Sequence, residues 1–195
     1  MTQKYHFISG LPRSGSTLLS AILKQNPRFH ASISDPLHDY VRNILTTTHA
    51  SVGMEEAVPV EKRRELIKGL FKTFYSDGPE VCFNTNRAWT ASTAMLKDLF
   101  PGTKIIVCIR DVPWILDSFE QLNSKNPYTI KALFGHQDLG TVYHRVNSLM
   151  SLDGGGGYVS GPIACTKQAM FSDEKNMLCV VEYEALAKRP KETMQ

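Results

Sequence analysis

The apolar residues of the chain alternate between short continuous runs and stripes at helical spacing. Residues 4–9 make an apolar run that predicts a buried strand, residues 10–14 interrupt it, and Leu18, Leu19, Ile22 and Leu23 predict a helix over 15–25. Helices are expected over 37–47 and 60–75, a brief strand over 81–84, and a further helix over 88–100 ended by Pro101-Gly102. The run KIIVCI at 104–109 is apolar and β-branched, as in a central parallel strand covered on both faces, and MLCVVE at 177–182 repeats it. A helix over 113–122 follows, then mostly helical stretches over 137–152 and 158–171, separated by the glycines at 154–157, which read as a flexible joint. The alternation of strands and helices predicts an α/β fold with a central, mostly parallel sheet flanked by helices.

Composition narrows the function. A chain of 195 residues, 42% hydrophobic and 21% charged, is sized for one domain over 1–195. The 22 basic and 19 acidic residues are dispersed and leave a net charge of only +3, which favours a local anion site over nucleic-acid binding. Cys82, Cys108 and Cys179 lie in or beside apolar runs and Cys165 in a helix-like stretch; none has metal-ligand spacing. Reduced, buried thiols in a cytoplasmic protein with no metal are expected. No apolar run approaches the roughly 18 residues that span a bilayer, and the start reads directly into a strand, so neither membrane insertion nor a signal peptide is expected. Glu55-Glu56 and the run 61–65 read as a solvated helix face, and His6 as a packed core or edge residue.

The strongest local signal is Gly10-Leu-Pro-Arg-Ser-Gly15-Ser-Thr17, which has the two-glycine spacing of a phosphate-binding loop between a strand and a helix. Glycines let successive backbone N–H groups converge on an anion, and the positive end of the following helix adds attraction. A nucleotide triphosphatase places Lys after the second glycine; here Ser16 stands there, and the nearest cation is Arg13. Arg13 is suited to fork onto a terminal anionic group and to neutralise charge on a departing oxygen.

A second anion position is suggested where Arg110-Asp111 follows the 104–109 strand and Pro113 opens a helix that brings Ser118 round. In a doubly wound sheet both positions face one crevice beyond the carboxyl ends of the strands, which implies a doubly phosphorylated ligand. At these residues the chain resembles the sulfotransferases that use 3′-phosphoadenosine-5′-phosphosulfate (PAPS). Pro12, Arg13, Ser14, Gly15, Ser16 and Thr17 resemble the family's 5′-phosphosulfate loop, and Arg110 with Ser118 its 3′-phosphate pair. VEYEALAKRP at 181–190 is similar to the family's late strand-to-helix segment, where Tyr183 is implied to lie near the nucleotide. FNTNRAW at 83–89 with RDVPWILDS looks most like a bacterial branch. The resemblance spans 6–190 and implies a three-layer P-loop-like fold, PAPS as co-substrate, no metal, and a small-molecule or carbohydrate acceptor with a hydroxyl or amine. Family members continue past the Tyr183 segment with a glycine- and basic-rich loop, so the chain is expected to be short at its C-terminus.

The acceptor side is less legible. Relatives carry a carboxylate about twenty residues beyond the loop Arg, whose nearest counterpart here is Asp35, nominated as the base that takes the acceptor proton. Asp35 before Pro36 reads equally as a helix N-cap. His38 is the other candidate base. Asn86 and Arg87 are candidates for holding sulfate or acceptor, against an ordinary ion pair for Arg87. Two alternatives stand beside the sulfotransferase reading. One is a P-loop kinase or NTPase with Asp111 imitating a metal-binding acid; the other is a non-catalytic relative that only holds the nucleotide.

Overall fold

Successive residues of a strand face opposite sides, so strands apolar at every position need cover on both. The computed structural model, which describes residues 3–125, 140–151 and 157–194, supplies that cover for the strand over 105–109, whereas the run over 177–182, expected to be covered in the same way, forms an edge strand on which Cys179, Val180 and Glu182 are exposed. Strands β1 (Lys4–Gly10), β2 (Phe29–Ala31), β3 (Val81–Thr85), β4 (Ile105–Ile109) and β5 (Leu178–Glu182) form one sheet in the order β2-β3-β1-β4-β5, with every pairing parallel. The described helices are α1 (Ser16–Leu23), α2 (Leu37–Thr48), α3 (Val52–Ala57), α4 (Val60–Phe74), α5 (Thr93–Leu99), α6 (Val112–Lys125), α7 (Val142–Met150), α8 (Ser160–Met170), α9 (Tyr183–Lys188) and α10 (Pro190–Thr193).

Phe7, Cys82, Ile105 and Val107 on one face pack with Leu37 and Val41 of α2, Ile67 and Phe71 of α4, Trp89, and Leu96 and Leu99 of α5. Ile8, Phe83 and Cys108 on the other face meet Leu19 and Leu23 of α1 and Leu186 of α9. A third cluster, Leu11, Ile115, Phe119, Leu149 and Val159, ties the end of β1 to α6, α7 and the start of α8. The expected three-layer α/β arrangement is therefore observed.

Several local expectations are corrected. The helix expected over 88–100 is a 3-10 turn, Arg87–Ser92, followed by α5. Its cause is visible: Trp89 N–H bonds Asn86 O three residues back, and Thr90 N–H is taken by the Ser9 hydroxyl at 3.2 Å. β2 and α3 were not anticipated; the first is three residues long and the second buries no side chain, so neither leaves a periodic apolar signal. Cys179 is exposed on β5, and Cys165 is half-buried, whereas Cys82 and Cys108 are buried and burial pushes their thiols up to about 11 and about 12. Glu55 and Glu56 are exposed as expected. Of the glycine run, residues 154–156 lie outside the described residues, as do 137–139 and 152 of the helix expected there.

Candidate active site at the carboxyl ends of the strands

β1 and β4 are neighbours in the sheet, and their carboxyl ends release the Gly10 loop and Arg110 side by side. Gly10 pairs with Cys108, and a Cβ on Gly10 would stand 2.2 Å from the Cys108 carbonyl oxygen, so the loop leaves the sheet where only glycine fits. Arg13 and Gly15 both adopt left-handed backbone, φ 57° and 89°. Between them the Ser14 hydroxyl is buried and donates to the Leu11 carbonyl at 2.5 Å, closing the loop from inside. Pro12 is buried as well. The first backbone bond of α1 runs from Leu19 N–H to Gly15 O, which leaves the N–H groups of Ser16, Thr17 and Leu18 without an acceptor among the described residues. Such a group of free donors at the positive end of a helix binds anions.

Arg13 is exposed and its Nε donates to Ser118 Oγ at 3.0 Å. Arg110 Nη1 donates to the Arg13 carbonyl at 3.2 Å, and its Nε donates to Glu184 at 3.3 Å. The Arg110 guanidinium lies 4.3 Å above the Tyr183 ring, and a Cβ on Gly15 would come within 2.7 Å of that ring. The loop, Arg110, Ser118 and Tyr183 thus form one cluster, assembled from four separate stretches of sequence. Glu184, which holds Arg110, gave no signal of its own in the sequence.

Asp35 lies against the carboxyl end of β3. It is 8% exposed, and all four of its donors reach one oxygen, Oδ2: Asn84 Nδ2 at 3.0 Å, Tyr75 OH at 3.3 Å, Thr85 N–H at 3.4 Å, and the Ser32 hydroxyl. Oδ1 has no hydrogen bond among the described residues. Asn84 is fixed in turn by the Trp89 indole N–H, 2.8 Å from its Oδ1. Capping is not what Asp35 does: Pro36 occupies the N-cap of α2, which has no side-chain cap. His38 stands in the first turn of α2, half-buried, with its ring edge-on to Trp89 at 4.8 Å. Burial lowers its pKa; Asp39, 3.8 Å away, opposes that shift, and Arg42 adds to it.

Asn86 caps the 3-10 turn, its Oδ1 accepting from Ala88 N–H at 3.0 Å. Arg87 has no carboxylate partner among the described residues; its guanidinium lies 4.0 Å over the Tyr158 ring and donates to the Tyr158 hydroxyl. Asp111 is exposed. A cavity of about 1210 Å³ opens at the amino-terminal ends of the strands, between Tyr5, Lys68, Lys72 and Phe100, and contains none of the residues nominated above.

A parallel α/β sheet with a glycine loop leading from its first strand into a helix is a P-loop-like arrangement. A family model described as "Sulfotransferase family" matches residues 6–195, and the chain belongs to that family. A search of curated sequences returns no significant match. Among solved structures, the chain is similar to the sulfotransferase domain from the curacin biosynthetic pathway, with TM-score 0.63 and 15% identity over 100% of this chain and 71% of that one. A sulfotransferase from Mycobacterium avium gives TM-score 0.59 and 15% identity, covering 100% of this chain and 62% of that one. The sulfotransferase domain of the Synechococcus olefin synthase gives 0.53 and 17%, over 99% and 71%. At such identities the likeness shows the fold, and the family match favours sulfuryl transfer over the kinase alternative.

Proposed function

We propose that the chain transfers the sulfuryl group of PAPS to a hydroxyl or amine of a small-molecule or carbohydrate acceptor, releasing 3′,5′-phosphoadenosine. The observation that carries this reading is the single cluster of Arg13, Arg110, Ser118 and Tyr183 around the free N–H groups of α1. Arg13 to Thr17 take the phosphosulfate end, Arg110 and Ser118 take the 3′-phosphate, and Tyr183, stacked under Arg110, borders the nucleotide. The buried side chains of Pro12 and Ser14 hold the shape of the loop whose backbone faces the donor.

In the transfer the acceptor oxygen or nitrogen forms a bond to sulfur as the bond from sulfur to the bridging 5′-phosphate oxygen breaks. Negative charge grows on that departing oxygen, and Arg13 with the α1 N–H groups neutralises it. The acceptor proton goes to a base. Asp35 fits the task because Oδ2 is anchored by four donors while Oδ1 has no protein partner among the described residues. His38 is the second candidate, since burial favours its neutral, proton-accepting form. The four free cysteines fit a reducing, cytoplasmic setting.

The test is release of labelled sulfate from sulfur-labelled PAPS, with water as acceptor, in the presence of EDTA. Slow, metal-independent release that is lost in Arg13→Ala is expected. Absence of release, together with hydrolysis of ATP that requires Mg²⁺, would overturn the reading in favour of an NTPase.

A further inference from the structure

The three central strands each lead at the carboxyl end to an arginine. In sheet order, β3 is followed by Arg87, β1 by Arg13 and β4 by Arg110. The donor accounts for two of these cations, and the third follows β3, the strand whose Asn84 and Thr85 hold Asp35.

Arg87 is set apart by its surroundings. Arg13, exposed in the donor loop, bonds Ser118; of the others, Arg28, Arg42, Arg64, Arg110, Arg145 and Arg189 each have a carboxylate within 4.0 Å, and Arg63 Nε is bonded to the Val58 carbonyl. Arg87 is half-buried, yet among the described residues it has neither an acid nor a carbonyl partner, only Tyr158 beneath and beside it. Partial burial removes water from a guanidinium, and a neutral ring with one hydroxyl returns little of that cost; an oxyanion returns most of it. The turn that carries it and the ring beneath it are also held in place. Ser9 Oγ donates to the Arg87 carbonyl at 2.8 Å, Asn86 N–H donates to Ile8 O at 3.1 Å, and the Tyr158 ring is braced edge-on by Phe119 at 5.7 Å. A cation fixed in place without its anion is arranged for an anion that arrives.

We infer that Arg87, stacked on Tyr158, binds an oxyanion carried by the acceptor, so that the acceptor is itself an acidic molecule, a carboxylate or phosphate bearing the hydroxyl or amine to be modified. The inference rests on the sulfotransferase reading. It gives the acceptor two fixed points: the acid end at Arg87 and the reacting group toward Asp35. Neutral acceptors lack the first of these and are bound less well.

The test is crystallographic, with selenate as the probe because its selenium is located by anomalous scattering. Crystals are soaked with selenate together with 3′,5′-phosphoadenosine, and separately with selenate together with intact PAPS, whose sulfuryl group fills the transfer position. A selenium site within hydrogen-bonding distance of the Arg87 guanidinium is expected in both soaks. It is expected to be lost in Arg87→Leu and weakened in Arg87→Lys, which keeps the charge and supplies a second, folded reference. The affinity for 3′,5′-phosphoadenosine, read by calorimetry, should change less than about twofold in these variants. A selenate that PAPS displaces would assign Arg87 to the donor's sulfuryl group and overturn the inference, as would no selenate at Arg87 or one that persists in Arg87→Leu. If the wild-type chain binds no 3′,5′-phosphoadenosine, the sulfotransferase reading itself falls, and that outcome is separate from the others.

Discussion

Asp35 joins a structural role to its proposed role as base. Its carboxylate satisfies Asn84, Tyr75, Thr85 N–H and Ser32 in a buried pocket, so removing it strands several donors at once. Asp35→Leu is expected to cost about 3 kcal/mol or more in urea unfolding. Asp35→Asn keeps the shape, is expected to cost about 1 kcal/mol, and should still abolish base-assisted transfer while leaving nucleotide affinity unchanged. A variant in which both stability and transfer survive loss of the carboxylate would remove Asp35 from either role. Two histidines set a pH dependence at the same scale. His6 is lowered by burial and then by Lys4 and Lys104, and His38 by burial, both from 6.5. His6 Nδ1 also accepts the Lys104 N–H at 3.0 Å, which a proton there would break. Below pH 6.5 the unfolded chain therefore binds more protons than the folded one, so stability is full above that pH and lost as pH falls through the folded values. The melting temperature should drop between pH 6.5 and 5, and His6→Gln with His38→Gln should flatten the curve; a midpoint rising toward acid would contradict the assignment.

At the scale of elements, the junction of β1 with its loop is the most constrained point. Gly10→Ala places a methyl 2.2 Å from the Cys108 carbonyl at φ 111°, a clash with backbone that no side-chain movement relieves. A loss of several kcal/mol is expected, seen as reduced yield of folded protein or a markedly lower urea midpoint, whereas Gly69→Ala, where nothing lies within 4 Å of the new Cβ, should be neutral or slightly stabilising. The same junction was readable in the sequence because strand, two glycines and a helix stripe coincide there. β3, β4 and β5 were likewise legible from their apolar runs, to within one residue at either end. What escaped was structure whose cause lies elsewhere in the chain. The 3-10 turn at Arg87–Ser92 is imposed by the Ser9 hydroxyl on a different strand, and β2 is defined by pairing with β3 rather than by its own three residues.

For the whole molecule, the parallel sheet gathers residues 13, 110, 118 and 183 at the carboxyl ends of its strands, and their order along the chain, matched to a family pattern, made that cluster legible in advance. The acceptor side carried no such pattern. Asp35 meets Tyr75 and Asn84, and Arg87 meets Tyr158, across 40 to 71 residues of sequence, and neither spacing nor residue type announces those meetings. In the proposed donor site, Arg110 and Ser118 form the position for a 3′-phosphate. Calorimetric titration of 3′,5′-phosphoadenosine and of adenosine 5′-monophosphate into the wild-type chain and Arg110→Ala tests it directly. One charge-assisted contact of about 1.5–3 kcal/mol corresponds to a preference of roughly 10- to 150-fold for the bisphosphate, and that preference should collapse in the variant. Equal affinities in the wild type, or a preference that survives in Arg110→Ala, would contradict it.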